Sequence, residues 1–445
     1  MASSIRRRVM LVAPPFGDVP GRGGRYYTTI PLGTAYLASA LLEAGLEVDV
    51  VDCNVESHSP GDLADRVVSK SPDIVGLSVT TPSSRYCRAF VSALRGRGVS
   101  SAITVALGGA HVTADPEAAR LIGGDVYFKG EAERCFRDYC LVGGGGGVVK
   151  CPPIEDIDSL PRPARHLFDG GRYAFVPVAA SRGCPFSCIY CCMAGTGYRR
   201  RSLGGLRLEL EEIVRGKPKS LDFVDDTFTL DKDFALGVAA LMSGYGVPWA
   251  CTTRADMVDE ELIGRFSECG CMHMSFGVES GDEKVRHYAG KGVADGTIKA
   301  AFKSCRDAGI KTRAYMMLGL PGDTGTTMEA SREFMEEIEP DDVQYSPPVP
   351  YPGTRLMETA VREGRISPRV WADYTLGNAE IPVYSPEGFS GEEIIALCND
   401  AQKSFHGKGA RIMRRLASST TWTEAGETVM AALALTAEPL FNKRR

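Results

Sequence analysis

Ser181-Arg182-Gly183-Cys184-Pro185-Phe186-Ser187-Cys188-Ile189-Tyr190-Cys191 sets three cysteines at a C-x3-C-x2-C spacing on one short stretch. Four thiolates ordinarily hold a [4Fe–4S] cluster. Three thiols on one loop leave one iron without a protein ligand, open to a substrate or cofactor. An apolar run from Tyr173 to Ala180 leads into the loop like a buried strand. Gly183 and Pro185 break that run, so the thiols are expected at a strand's C-terminal end. A structural zinc site or buried free thiols are the competing accounts. Zinc sites usually pair C-x2-C with a second Cys or His pair, and no such pair stands out.

Tyr190, just before the last cysteine, completes C-x3-C-x-aromatic-C. The stretch resembles the loop of the radical S-adenosylmethionine (SAM) superfamily. The resemblance implies that SAM chelates the open iron through its amino and carboxylate groups, and that an electron from the cluster cleaves it to a 5′-deoxyadenosyl radical. The chain that follows repeats a βα pattern. Strands are expected at Ser220–Val224, Pro248–Thr253, Met272–Val278, Lys311–Leu318 and Val343–Pro348, with helices between them. With the strand before the cysteines this makes a partial (β/α)6 barrel over 171–355, its site at the strand C-terminal ends.

Those ends carry candidate SAM-binding residues. Asp225 and Asp226 follow the second strand, where an acidic group suits the SAM ammonium or a substrate cation. An N-cap or solvated turn accounts for Asp226 equally well. Arg254 ends the third strand, placed to meet a carboxylate. Glu279 and Ser280 end the fourth, a carboxylate and hydroxyl that suit ribose. Gly319, Pro321 and Gly322 end the fifth, small residues that let backbone approach adenine. Tyr190 joins this set. The order of these motifs after the cysteines is similar to that of the radical SAM barrel, and Pro350 to Thr354 resembles the turn that closes it in cobalamin-linked members. Cys192 and the Cys269-x-Cys271 pair read as buried free thiols. No side chain is singled out as catalytic.

Upstream, residues 1–142 alternate strand and helix as in a doubly wound, Rossmann-like α/β sheet. Ligands bind such sheets beyond the strand C-termini, here Pro14–Gly17, Thr80-Thr81, Gly108-Gly109-Ala110-His111 and Gly130-Glu131. With Pro31 to Ser39, Asp73 to Ser78 and Glu133, these stretches resemble the cobalamin-binding domain that precedes some radical SAM barrels. The resemblance implies cobalamin contacts at Thr80, Thr81, Gly108, Gly109, His111, Gly130 and Glu131. One departure stands out. Many cobalamin domains carry Asp-x-His-x-x-Gly, and Asp52-Cys53-Asn54-Val55-Glu56-Ser57 puts Asn54 at the His position. An amide is a poor cobalt ligand, so no histidine is expected beneath cobalt. His58 and His111 are first read as structural.

Five glycines, Gly143–Gly147, and the Pro-rich stretch after them read as a linker over 143–170. The tail, 356–445, reads as helical: Leu356 to Glu363, Gly391 to Phe405 and Gly409 to Leu416. It is expected to cap the barrel. Arg411, Arg414 and Arg415 form a basic face, read as solvated.

The chain has 445 residues, 44% hydrophobic and 24% charged, with net charge −5. That is the balance of a globular protein of two or three domains, and it argues against a dedicated nucleic-acid binder. Fourteen scattered cysteines fit a reducing cytoplasm. The apolar run after Arg6-Arg7-Arg8 is stopped by Pro14-Pro15 too early for a signal peptide, and no stretch is long enough to span a bilayer; Val429–Ala437 is the longest candidate in the tail.

These features together imply a cobalamin-dependent radical SAM methyltransferase acting on an unactivated carbon or phosphorus. Its cofactors would be a [4Fe–4S] cluster, SAM and cobalamin. Its partners would be a small-molecule substrate and an electron donor such as a flavodoxin or ferredoxin. The alternative is a cyclisation or rearrangement in the same architecture, as in the anaerobic magnesium-protoporphyrin monomethyl ester cyclases. A tRNA methylthiotransferase needs a second cluster, and none is apparent. A non-catalytic corrinoid carrier leaves the SAM-type motifs unexplained.

Overall fold

The structure is a computed structural model and describes residues 7–16, 29–98, 102–408 and 411. The expected helix from Gly409 and the residues Gly17, Arg414, Arg415 and Val429–Ala437 lie outside the described residues, 411 apart. The chain forms two compact units. The first takes Met1–Arg182, Gly197–Leu221 and Tyr351–Pro382; the second takes Gly183–Thr196, Asp222–Pro350 and Val383–Arg445.

The first unit opens with β1 (Arg8–Ala13), α1 (Leu32–Glu43), β2 (Glu47–Asp52), α2 (Pro60–Lys70), β3 (Ile74–Ser78) and α3 (Ser84–Arg95). It continues with β4 (Thr104–Gly108), the short α4 (Ala110–Ala114) and α5 (Pro116–Ala119), β5 (Val126–Gly130), α6 (Glu133–Val142) and β6 (Gly147–Cys151). All six strands lie in one sheet, order β2-β1-β3-β4-β5-β6, paired in parallel. A parallel sheet is covered on both faces, so its strands are apolar throughout. Alternate residues of β1 show this. Met10 and Val12 pack with Leu63, Phe90 and Leu94 of α2 and α3, while Val9 and Leu11 pack with Leu41 and Phe136 of α1 and α6. The boundary of α2 is local chemistry: Ser59 and Asp62 close a capping box ahead of Pro60.

β6 departs from expectation. Gly143–Gly146 is the turn into a sixth strand that starts at Gly147, so the span read as linker includes a strand of the sheet. Gly130 and Gly147 both take positive φ, and a Cβ on Gly130 would lie 2.1 Å from the Cys151 carbonyl oxygen. Only glycine permits that approach.

Next come β7 (Val176–Val178), shorter than the apolar run suggests, the pair β8 (Ser181–Arg182) and β9 (Arg199–Arg200), and α7 (Leu203–Arg215). The second unit carries β10 (Leu221–Phe223), α8 (Lys232–Ser243), β11 (Trp249–Thr253), α9 (Glu260–Glu268), β12 (Cys271–Glu279), α10 (Glu283–Tyr288), α11 (Asp295–Asp307), β13 (Lys311–Met317), α12 (Gly325–Ile338) and β14 (Asp342–Ser346). Its strands stand in the order β14-β13-β12-β11-β10, with β11 to β14 parallel. The helix-facing side is aromatic and closed: Phe223, Phe228, Trp249 and Phe266 form one cluster.

α13 (Arg355–Arg362) and α14 (Val370–Leu376) follow, then α15 (Gly391–His406). The tail is therefore divided. α14 belongs to the first unit, where the Tyr374 hydroxyl donates to the Pro82 carbonyl (2.8 Å) and Arg85 covers the Tyr374 ring. α15 belongs to the second, and its Gln402 amide bonds the backbone of Val343 and Tyr345 (2.8 and 3.0 Å). That closes the exposed edge of β14.

Candidate functional site

The cysteine loop folds on itself before it meets anything else. Gly195 N–H bonds the Phe186 carbonyl (2.8 Å), Cys191 N–H that of Cys188 (3.3 Å), and Cys184 N–H the Thr196 hydroxyl (3.0 Å). Ile189 N–H then ties the loop to the Ala289 carbonyl (3.0 Å). The three sulfurs stay half-buried. Cys184 Sγ lies 3.8 Å from the Thr227 hydroxyl, Cys188 Sγ lies 3.8 Å from the Gly290 carbonyl, and Cys191 Sγ accepts the Met193 N–H at 3.3 Å. Among the described residues no three His, Cys, Asp or Glu side chains converge as around one ion. A cubane binds each thiolate at a different iron, so three accessible thiols set apart on one loop fit it better than a zinc ion. Cys269 and Cys271 are buried as expected. Cys192 is exposed, in the turn that follows Cys191, and this corrects its reading as a buried thiol.

Behind the loop stands a buried polar network. Glu279 ends β12 at a bulge, with φ +74. Its carboxylate accepts from Lys291 Nζ (3.2 Å), and both side chains are buried. The Tyr190 hydroxyl bonds Glu279; burial first, then the Glu279 and Cys188 charges, pushes that phenol well above its ordinary range. Gly277 makes the room, since a Cβ there would lie 2.4 Å from Glu279 Oε1 and 2.5 Å from Lys291 Nζ. Arg254 faces the same loop: its fork grips Asp256 (2.9 and 2.8 Å), Nη2 also donates to the Lys291 carbonyl (2.8 Å), and Nη1 points at Cys188 Sγ (3.9 Å). Lys291 escapes a reading of strand ends because it lies in the α10–α11 connection; the flanking Gly290 and Gly292 are its one signal.

Asp225 is buried at the end of β10. Ser280 turns away from the opening. Its hydroxyl pairs with Ser331 of α12 (3.2 Å) and accepts the Asp282 N–H (3.1 Å), which makes it a fixture of the α12 packing. Gly319 is likewise a packing position, with φ +97 and Ile394 of α15 2.9 Å from where its Cβ would be. Pro321 and Gly322 form the turn itself, and nothing lies within 4 Å of a Cβ on Gly322. Asp323 fixes the turn by accepting the Gly319 and Leu320 N–H groups (3.0 and 2.8 Å).

The sheet face turned away from the helices is polar. Register puts Thr252, Ser275, Arg313 and Asp342 in one row and Gly277, Tyr315 and Gln344 in the next. Alternating burial along β10, β11, β13 and β14 leaves this face half-buried while the other is closed. Arg313 pairs with Asp342 (2.6 Å). Asp222 shares the field of Arg313, yet burial outweighs it and raises the carboxyl to about 6. A parallel barrel core is ordinarily filled with branched apolar side chains; a polar, half-open face is lined for a ligand.

In the first unit a cavity opens at the C-terminal ends of β1, β3 and β4, lined by Thr34, Gly76, Ser78, Gly108, Gly109 and Phe136 among others. The Thr34 hydroxyl is buried without a hydrogen-bond partner, and a Cβ on Gly76 would press Leu11 and Phe136 at 3.0 and 3.1 Å. An unsatisfied buried hydroxyl and a glycine-lined cradle fit a cofactor that supplies a polar group and fills the space. Of the residues expected here, Gly108 and Gly109 line the cavity. Thr80 is held by Ser83 in the turn before α3. Thr81 bonds His111 Nδ1 (3.3 Å); His111 is fully buried, its Nε2 has no partner, and burial lowers its pKa to about 4. Gly130 donates to Thr113 (3.1 Å). Glu131 is a strut: Arg199 grips both oxygens (2.7 and 3.0 Å) and Ile154 N–H donates to it (2.7 Å). Burial works to raise its pKa, and these partners hold it below the usual carboxylate range. Thr34, Gly76 and Ser78 fall within the Pro31–Ser39 and Asp73–Ser78 stretches but outside the set of expected cobalamin contacts. Asn54 spends both ends of its amide on Asp52, Pro14 and Phe16.

Comparison with known proteins places a known domain over each part of the chain. Residues 178–335 match the radical SAM superfamily and residues 22–139 the B12 binding domain. The chain is 30% identical over 434 residues to the uncharacterized methyltransferase PH0819 of Pyrococcus horikoshii, covering 90% of this chain and 92% of that one. It is 24% identical to the anaerobic magnesium-protoporphyrin IX monomethyl ester cyclase of Rubrivivax gelatinosus, over 82% of this chain and 71% of the other. Its fold matches the radical SAM methyltransferase TsrM of Kitasatospora setae, solved with cobalamin and a [4Fe–4S] cluster, with a TM-score of 0.73 at 17% identity over 97% and 99% of the two chains. The chain belongs to the radical SAM methyltransferase family that carries an N-terminal B12-binding domain.

Proposed function

We propose that this enzyme methylates an unactivated carbon, or a phosphorus, of a small polar molecule bound against the inner face of β10–β14. The observation that carries this reading is the half-open polar face of Asp222, Thr252, Tyr315 and Gln344 in the unit that also holds the three cysteines. The bound cluster and SAM supply one-electron radical chemistry, and the corrinoid carries the methyl group. Cys184, Cys188 and Cys191 hold the cluster and leave one iron open. Glu279 and Lys291 fix Tyr190 and the back of the loop. The Pro321-Gly322 turn and the Asp225 carboxylate bound the SAM side. The cavity of Thr34, Gly76, Gly108 and Gly109 holds part of the cobalamin. The boundaries we assign are 1–142 for the cobalamin domain, extended through β6, and 171–355 for the barrel. A flavodoxin- or ferredoxin-type donor would supply the electron. The fourteen cysteines, all free, suit a reducing cytoplasm. Among the described residues no helix is long and apolar enough to cross a membrane.

Methyl-deuterated SAM tests the reading. A product heavier by one labelled methyl supports it. The likeness to the cyclase family keeps one other outcome in view: a product that has lost hydrogen, carries no label, and formed with SAM consumed.

A further inference from the structure

We infer that Arg254 is a positioning residue for the iron–sulfur centre. It aims an N–H and a positive charge at Cys188 Sγ and so raises the centre's reduction potential, rather than binding the carboxylate of SAM. The inference rests on the reading of Cys184, Cys188 and Cys191 as cluster ligands.

The donor count is the first argument. A guanidinium has five N–H groups. Nε and one Nη2–H are on Asp256, the second Nη2–H is on the Lys291 carbonyl, and one Nη1–H faces Cys188 Sγ. One donor remains, so no fork is left for an incoming carboxylate. The second argument is placement. The Arg254 Cζ lies 3.9 Å from the centroid of the Phe186 ring, inside the same loop, between the first and second cysteines. Arg254 is 6% exposed, whereas the Asp256 side chain is 28% exposed, so water screens the counter-ion more than the cation. The third argument is the partner of Cys188. The Gly290 carbonyl, 3.8 Å away, suits a thiol and repels a thiolate, so once the sulfur is on iron its favourable contacts are the Tyr190 hydroxyl, which is neutral, and the Arg254 N–H, which alone of the two brings a positive charge. Reduction adds a negative charge to the cluster and its sulfurs. A nearby cation and an N–H···S contact stabilise that state more than the oxidised one, and such contacts set cluster potentials.

The test is an EPR-monitored redox titration of the full-length, anaerobically reconstituted protein without SAM, with iron counted in each variant. R254Q is expected to keep its iron and to shift the midpoint to a more negative value. D256N, which leaves the guanidinium without its counter-ion, is expected to shift it the opposite way. R254K is expected to fall between wild type and R254Q, and decides by the same sign where R254Q fails to hold iron. Midpoints of R254Q, R254K and D256N equal to wild type overturn the inference, and weaker SAM binding by R254Q in equilibrium dialysis would then return Arg254 to the carboxylate. C188A separates the underlying reading: if it keeps full iron and an unchanged signal, the cluster assignment itself is wrong.

Discussion

Glu279 holds a left-handed backbone, φ +74, at a cost of about 1–2 kcal/mol for a residue with a Cβ. The bulge that imposes it aims the carboxylate at Lys291 and Tyr190. Breaking a buried pair leaves an uncompensated charge, so K291M is predicted to destabilise the fold by about 3 kcal/mol, with E279Q/K291M recovering part of that loss in urea denaturation. Asp222 carries a second prediction. Burial raises its folded pKa from 3.8 to about 6, so the folded state binds the proton more tightly than the unfolded chain. The stability linked to that proton is complete below about pH 4 and lost as pH rises through 6. D222N should therefore melt higher than wild type at pH 8, and the gap should close towards pH 4. A gap of constant size would show that Asp222 does not titrate in this range.

At the scale of the element, the α10–α11 connection and the cysteine loop are pressed together through Gly290. Its φ is +74, and a Cβ would stand 2.5 Å from the Ser187 carbonyl oxygen. G290A should displace the loop and lower the iron bound after reconstitution. G292A has φ +57 and nothing within 4 Å, so it should cost only the backbone strain, about 1–2 kcal/mol, and keep its iron. The cysteine loop and the parallel strands are plain in the sequence because apolar runs and Gly/Pro breaks are local signals. β6 is hidden because Gly143–Gly147 has the composition of a linker, and its pairing to β5 is a long-range event. α3 buries Cys87, Phe90, Val91 and Leu94, which recur at helical spacing. Glu131, Ser280 and Gly319 show the limit in the site itself: spacing places them at strand ends, but only packing reveals that Arg199, Ser331 and Ile394 already occupy them.

For the whole molecule, the two units divide the labour of the chemistry. The first offers a cavity with an unsatisfied Thr34 hydroxyl, and the second offers three accessible thiols and a polar face, each within its own core. The measurement that tests the account most directly is anaerobic reconstitution of the full chain with iron, sulfide and cobalamin, then reduction in the presence of SAM. Retained corrinoid together with both S-adenosylhomocysteine and 5′-deoxyadenosine is the predicted result. 5′-Deoxyadenosine alone, from a protein that retains no corrinoid, would contradict it.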